Sequence, residues 1–260
     1  MASTTTTPAI SMAGTITAMA IPTTMGMATT ITTITTMIDL YRLLAWCSPA
    51  YPVGGFSYSH GIETAVEEEL VTNRAGLEAY IRTALLAGAG RVDGALLVAA
   101  HRAATAEDDA ALDEAAELAA AWRGTAETAL EATQQGGSFA SVTATCWPDD
   151  RFAAFAARHP KRLTHAVAFG AAAGFGSIPL RPALTAWLSG FAANLVSAGV
   201  RLVPLGQTDG QRVTAALYPA IEQAADAAEA ASLDRLGTAA PMLDLFSIRH
   251  ETQYTRLFRS

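Results

Sequence analysis

Three short runs carry the residue types of a reactive centre. Gly55-Phe-Ser-Tyr-Ser59, followed by His60, approaches the Gly-x-Ser-x-Gly elbow, in which a strained strand-to-helix turn exposes a nucleophilic serine. Serine stands where the second glycine belongs, and a proline-containing corner precedes the run instead of a strand. On a helix, Ser59 and His60 would point about 100° apart, which makes a direct dyad awkward. His250-Glu251-Thr-Gln-Tyr254 has the spacing of the zinc-binding His-Glu-x-x-His, with tyrosine replacing the second imidazole. Gly206-Gln-Thr-Asp-Gly210 could present backbone N–H groups at a helix start, but the Gly-Lys-Ser/Thr of a P-loop is missing and Lys161 is the only lysine. His60, His101, His159, His165 and His250 lack ligand spacing, and paired carboxylates occur only on acidic helix faces. The chain reads as non-enzymatic, with no catalytic, cofactor-binding or metal-binding residue. The enzymatic alternative is a small hydrolase on Ser57 or Ser59, which an acyl-ester probe would label.

The elements that must position these runs are helices. Alanine dominates after residue 75, β-branched runs are rare outside the amino-terminal region, and the hydrophobic share is 51% over 260 residues, enough for a sizeable core. A net charge of −7 opposes nucleic acid and anionic membrane surfaces as partners, so a DNA-binding helical regulator is disfavoured. Cys47 and Cys146 lack any CxxC or Cys-His spacing; they read as small buried hydrophobes in a reduced, cytoplasmic compartment.

Residues 1–37 are Thr, Met, Ala and Ile with no charged side chain and six of the seven methionines. They lack the basic segment of a signal peptide, and threonine and proline interrupt any run long enough to span a bilayer. The segment reads as a disordered extension ahead of a start at Met37, with one domain over residues 38–260. Leu40, Leu43, Leu44 and Cys47 then form a helical stripe that ends at Pro49. Ile62, Val66 and Leu70 stripe the next helix, with Glu63, Glu67, Glu68 and Glu69 gathered as a solvated face. Helices follow at Leu77–Leu85 and around Leu96–His101, then one long helix from Glu107 to Glu131 stopping at Gln134-Gln135-Gly136-Gly137. Beyond Cys146-Trp147-Pro148 lie helices at Phe152–Phe155, Leu163–Gly176, Leu184–Leu195 and Gly210–Ala231, the last capped by Thr208 or Asp209. The prediction is an all-α bundle of nine or ten helices.

Two segments are too specific for linkers. In the corner Ser48–Glu63, Pro49 and Pro52 fix φ and remove donors, while Gly54-Gly55 permits conformations or approaches that a side chain forbids. It reads as a rigid presentation of Phe56 and Tyr58. The last turns carry Tyr254, Leu257 and Phe258 among Arg249, Arg256 and Arg259, a composition that suits docking better than a frayed end.

Ser48–Glu63, Val200–Arg212 and Ser247–Ser260 resemble, in order and spacing, the three signature stretches of the UreF family of urease accessory proteins. The resemblance covers residues 38–260. It implies an all-α homodimer without catalysis of its own that takes part in nickel insertion into urease. As partners it implies the accessory protein UreD (UreH), the GTPase UreG, whose GTP hydrolysis the family regulates, and the urease apoprotein. Carried over by position, Arg249, His250, Glu251, Tyr254, Arg256, Leu257, Phe258 and Arg259 match the tail that orders against UreD. Pro52, Gly54, Gly55, Phe56, Tyr58 and Ser59 match the motif of the dimer centre and the GTPase-facing surface.

Overall fold

The computed structural model describes Met1 and residues 36–260. The expected disordered extension lies outside the described residues except for Met1, Thr36 and Met37, the last two of which open the first helix. Among the described residues there are twelve α-helices and no strand: α1 Met37–Trp46, α2 Ile62–Glu67, α3 Arg74–Leu86, α4 Ala89–Thr105, α5 Asp109–Ala121, α6 Ala126–Cys146, α7 Asp150–Arg158, α8 His165–Phe175, α9 Leu180–Leu202, α10 Gln207–Ala216, α11 Tyr218–Glu229 and α12 Pro241–His250.

The architecture is all-α, and the helices share one hydrophobic core. Helix α8 is apolar on every side, so it can only be stable when surrounded. Every residue of α8 after His165 is buried, with α4 packed along it and α6 and α9 against it. Phe139, Phe152, Phe155 and Phe169 fill the space between helices and are among the largest fully buried side chains. The segments 74–105 and Leu180–Leu202 are apolar enough to cross a bilayer by length and composition, but protein buries 67% and 50% of those windows, which accounts for their apolarity.

The helix count exceeds nine or ten because two expected helices are each split. The predicted Glu107–Glu131 helix breaks after Ala121, where Thr125 forms a capping box with Thr128 and starts α6 anew. Helix α6 then continues through Gln134-Gln135-Gly136-Gly137, the expected stop. Gly136 is a crossing point: a Cβ there would overlap the backbone of Leu163, Thr164 and His165. The predicted Gly210–Ala231 helix is α10 followed by α11, joined at Leu217 with Pro219 in the first turn of α11. The cap of α10 is Gly206, without a side-chain bond, and not Thr208 or Asp209. Helix α2 ends at Glu67 and not at Leu70, since Glu69 takes a left-handed φ of 59°. Both cysteines are free, but only Cys47 is partly buried, its thiol pushed up to about 12 by burial, whereas Cys146 is exposed.

Candidate functional site

The corner does not present its residues from a helix. Pro52 is exposed, Gly55–Ser57 form a single 3-10 turn, and the chain reaches α2 through two consecutive left-handed residues, His60 at φ 55° and Gly61 at φ 80°. Gly54 is also left-handed, at 76°, and a Cβ on Gly55 would meet Asn194 Nδ2 at 2.7 Å. This backbone separates the two aromatics that the sequence grouped together. Phe56 is 68% exposed, whereas Tyr58 is buried and donates to Gln134 Oε1 at 2.6 Å. Tyr58 is therefore a strut of the corner, because its ring is covered and its hydroxyl is tied to α6.

The tail lies along this corner. Arg259 N donates to Ser57 O at 2.8 Å and Ser59 N to Ser260 O at 2.6 Å, and Ser59 Oγ also donates to Ser260 O. Ser59 is thus committed to holding the tail. The ring of His60 meets Glu131 at 3.5 Å, and Glu131 also accepts from Ser260 Oγ at 3.1 Å. Burial alone would lower the His60 imidazole, but the Glu131 hydrogen bond and the charges of Glu131 and Asp93 outweigh it and hold it above its usual range.

The buried centre of the arrangement is His250, fully enclosed at the end of α12. Its Nε2 lies 2.9 Å from Glu63 Oε2, and its Nδ1 lies 2.9 and 3.0 Å from the two Glu127 oxygens. Glu63 also accepts from Leu257 N at 2.6 Å and Phe258 N at 3.0 Å, and Glu127 accepts from Arg256 Nη1 at 3.1 Å. Glu63 receives three donors and offers none, so it is ionised. Both His250 nitrogens face carboxylate oxygens, so each carries a hydrogen and the ring is an imidazolium. Two carboxylates and two cations cancel, which is the condition for keeping charge inside a protein. With both nitrogens bonded, His250 has no lone pair for a metal.

The second signature stretch joins the same place. Arg201 Nη2 donates to Phe56 O at 2.8 Å while its guanidinium lies 4.3 Å from the centroid of the Phe258 ring. All three stretches therefore meet at one surface patch. Phe258 is buried beneath it; Tyr254 and Leu257 face outward, at 103% and 65% exposure. Arg249 pairs with Glu68 at the rim, its Nη1 at 2.7 and 2.9 Å from the carboxylate oxygens, and Glu251 is exposed beside it.

Of the residues singled out from the sequence, the structure brings Ser59, Arg249, His250, Arg256, Phe258 and Arg259 into contact with α2, α6, α9 or the corner. Glu63 is the clearest correction. It was grouped with Glu67, Glu68 and Glu69 on a solvated face, yet it is 7% exposed and holds the tail. Glu127, Glu131 and Arg201 were not singled out as site residues either. One signal was available: arginine and histidine in a docking tail demand carboxylates to receive them.

Known proteins resemble this chain over most of its length. The UreF family model matches residues 71–218. A protein of Granulibacter bethesdensis called urease accessory protein UreF is 62% identical over 221 residues, covering 85% of this chain and 94% of that relative. Proteins of the same name from Rhodopseudomonas palustris, 49% identical over 222 residues, and a Bradyrhizobium species, 47% identical over 221, cover 85% of this chain and 91% and 92% of their own lengths.

Proposed function

This chain belongs to the UreF family of urease accessory proteins, and on that premise we propose that it is a non-catalytic, cytoplasmic adaptor in urease maturation. It binds UreD (UreH) through its docked tail, recruits the GTPase UreG and the urease apoprotein, and regulates GTP hydrolysis as nickel, the cargo, is inserted. The observation that carries this reading is the tail itself. His250 is buried between Glu63 and Glu127, Arg249 and Arg256 are paired with Glu68 and Glu127, and Tyr254 and Leu257 face outward beside them. Aromatic side chains displayed with little conformational freedom are the usual anchors of protein interfaces. The exposed Phe56, on the same patch and fixed through Arg201, is the contact we assign to the GTPase.

A homodimer finds support in α1, whose outer face exposes Met37, Ile38, Leu40, Tyr41 and Leu44. None of these is charged, so two copies of an acidic chain can meet there without repulsion. The test of the adaptor reading is copurification with UreD. The double substitution Tyr254→Ala and Leu257→Ala removes only outward-facing side chains and is expected to weaken the complex at least tenfold, while Phe56→Ala spares it and weakens UreG recruitment. An unchanged UreD affinity in the double variant would overturn the tail assignment.

A further inference from the structure

The patch where the three signature stretches meet carries two guanidiniums without a counter-charge. Arg201 Nη2 and Nε donate to the carbonyl oxygens of Phe56 and Ser197 at 2.8 and 3.2 Å, and Arg259 Nη1 donates to the amide oxygen of Gln134 at 3.3 Å. All three acceptors are uncharged. Arg249 and Arg256 end instead on Glu68 and Glu127, whereas neither Arg201 nor Arg259 forms an ion pair among the described residues. The carboxylates of the tail lock are already engaged. Glu127 holds His250 and Arg256, Glu63 holds His250 and the tail backbone, and Glu131 receives His60 and Ser260 Oγ.

Both arginines are exposed, and both are tied to the segment that displays the Phe56 ring. Arg201 holds the carbonyl of Phe56 itself, and the backbone N–H of Arg259 holds Ser57, the next residue. Arg201 also lies over the Phe258 ring, where burial pushes its guanidinium down with no carboxylate to offset the effect. A cation already fixed and partly stripped of water gives up less when a carboxylate arrives than a free, fully hydrated one. Each guanidinium keeps spare N–H donors in the fork geometry that matches a carboxylate.

The rest of the molecule narrows the kind of anion. A chain of net charge −7 is repelled by an extended polyanion, and two guanidiniums are too few to hold one. A compact acidic patch on a folded protein can meet both cations and cover the Phe56 ring at once. Aromatic and arginine side chains together are the types that anchor such contacts.

We propose that the partner surface covering Phe56 is acidic and sets carboxylates against Arg201 and Arg259, which steer it onto the ring. The inference rests on the reading that Phe56 meets the GTPase, and it adds the charge that the docking face of the GTPase must carry.

The test measures association and dissociation rates of UreG on the UreD-bound chain by surface plasmon resonance, at about 50 and about 500 mM salt, since salt screens exposed charges. Charges at the rim of a contact act on association, whereas a covered ring acts on dissociation. Arg259→Glu is expected to slow association at least tenfold at the lower salt, and to come within about threefold of the parent at the higher. Arg259→Lys keeps the charge and should stay within about threefold of the parent at both. Should the glutamate variant fail to copurify with UreD, Arg259→Gln replaces it, with association slowed about threefold at the lower salt. Phe56→Ala should speed dissociation instead. Equal association of the parent and the charge-altered variant, or a difference that salt does not diminish, overturns the acidic face. If Phe56→Ala still speeds dissociation in that case, the adaptor reading stands. Unchanged dissociation in Phe56→Ala overturns the GTPase contact and this inference with it. Sedimentation of the parent but not Arg259→Glu with phosphatidylserine vesicles, with equal UreG rates, would assign the two cations to a lipid surface and overturn the proposal.

Discussion

Replacing Glu63 with glutamine tests the tail lock most directly, because it changes one atom type and almost no volume. Glu63 receives Leu257 N, Phe258 N and His250 Nε2 at 2.6, 3.0 and 2.9 Å. Glutamine keeps one acceptor oxygen but turns an amide N–H₂ toward a donor, and it leaves the His250 cation facing one carboxylate fewer. Hydrogen bonds to charged groups contribute about 1.5–3 kcal/mol each, and removing one member of a buried ion pair costs about 3–5 kcal/mol. Since these figures overlap, we expect about 3 kcal/mol lost from docking of the tail. At 1.4 kcal/mol per factor of ten, amide exchange of residues 251–260 should accelerate about a hundredfold. The core helices should keep their protection, because α4 and α8 make no use of Glu63. UreD binding should weaken by a comparable factor. A double-mutant cycle with His250→Gln supplies the control: if the two residues act as a unit, the double variant costs at least ~1 kcal/mol less than the sum of the singles. Unchanged exchange of the tail in Glu63→Gln, or strict additivity in the cycle, would refute the reasoning.

Arg201→Ala should loosen both Phe56 and Phe258, costing about 1–2 kcal/mol of tail docking, and Arg201→Lys should fail to restore it, since ammonium lacks the flat face and fork of guanidinium; exchange at Phe258 reads both. The melting temperature should fall as pH drops from ~6.5 toward about 4, because His165 stays neutral in the fold while the unfolded chain takes up the proton first. His165→Phe should flatten that decline, and a wild-type melting temperature that is level across this window would count against the buried neutral histidine. Leu44→Glu combined with Tyr41→Glu should give a folded monomer by light scattering with UreD binding retained; a persistent dimer would move the interface away from α1.

Much of the fold was legible in local spacing. The stripe Leu184, Trp187, Leu188, Phe191 and Leu195 lies in α9 with only Phe191 half-buried and the rest buried, and the Ala/Gly-rich Leu163–Gly176 run became the enclosed helix α8. The failures share a cause, which is that the deciding neighbour is distant in sequence. Gly136-Gly137 looks like a stop until the backbone of residues 163–165 is seen lying across it. Glu63 looks like its neighbours Glu67 and Glu68 until a histidine 187 positions away is buried beside it. Tyr58 and Phe56 look equivalent because sequence carries no record of the 3-10 turn between them. The corner and the tail were each recognised as over-specified, but that they are two halves of one contact depended on the fold.

A lock built from charges is a poor way to gain stability, since hydrophobic side chains of the same volume pack as well without desolvation cost. Its advantage here is register. Apolar contacts tolerate sliding, and a tail shifted by one residue along the corner would bury Leu257 and expose Phe258. Glu63 accepts from two successive backbone N–H groups, and the His250 cation is fixed between carboxylates on α2 and α6, so one alignment satisfies every donor. The consequence is testable by replacing Glu63, Glu127 and His250 together with methionine, methionine and leucine. That variant should retain a docked tail, since no charge is left unpaired except the half-exposed Arg256, but exchange at residues 251–260 should still accelerate, because Leu257 N and Phe258 N lose their acceptor at about 1–3 kcal/mol each. It should nevertheless bind UreD poorly, because Tyr254 and Leu257 would no longer be displayed in one fixed alignment. Full UreD affinity in the triple variant would show that the charges serve stability alone, and complete loss of tail protection would show that apolar packing cannot replace them.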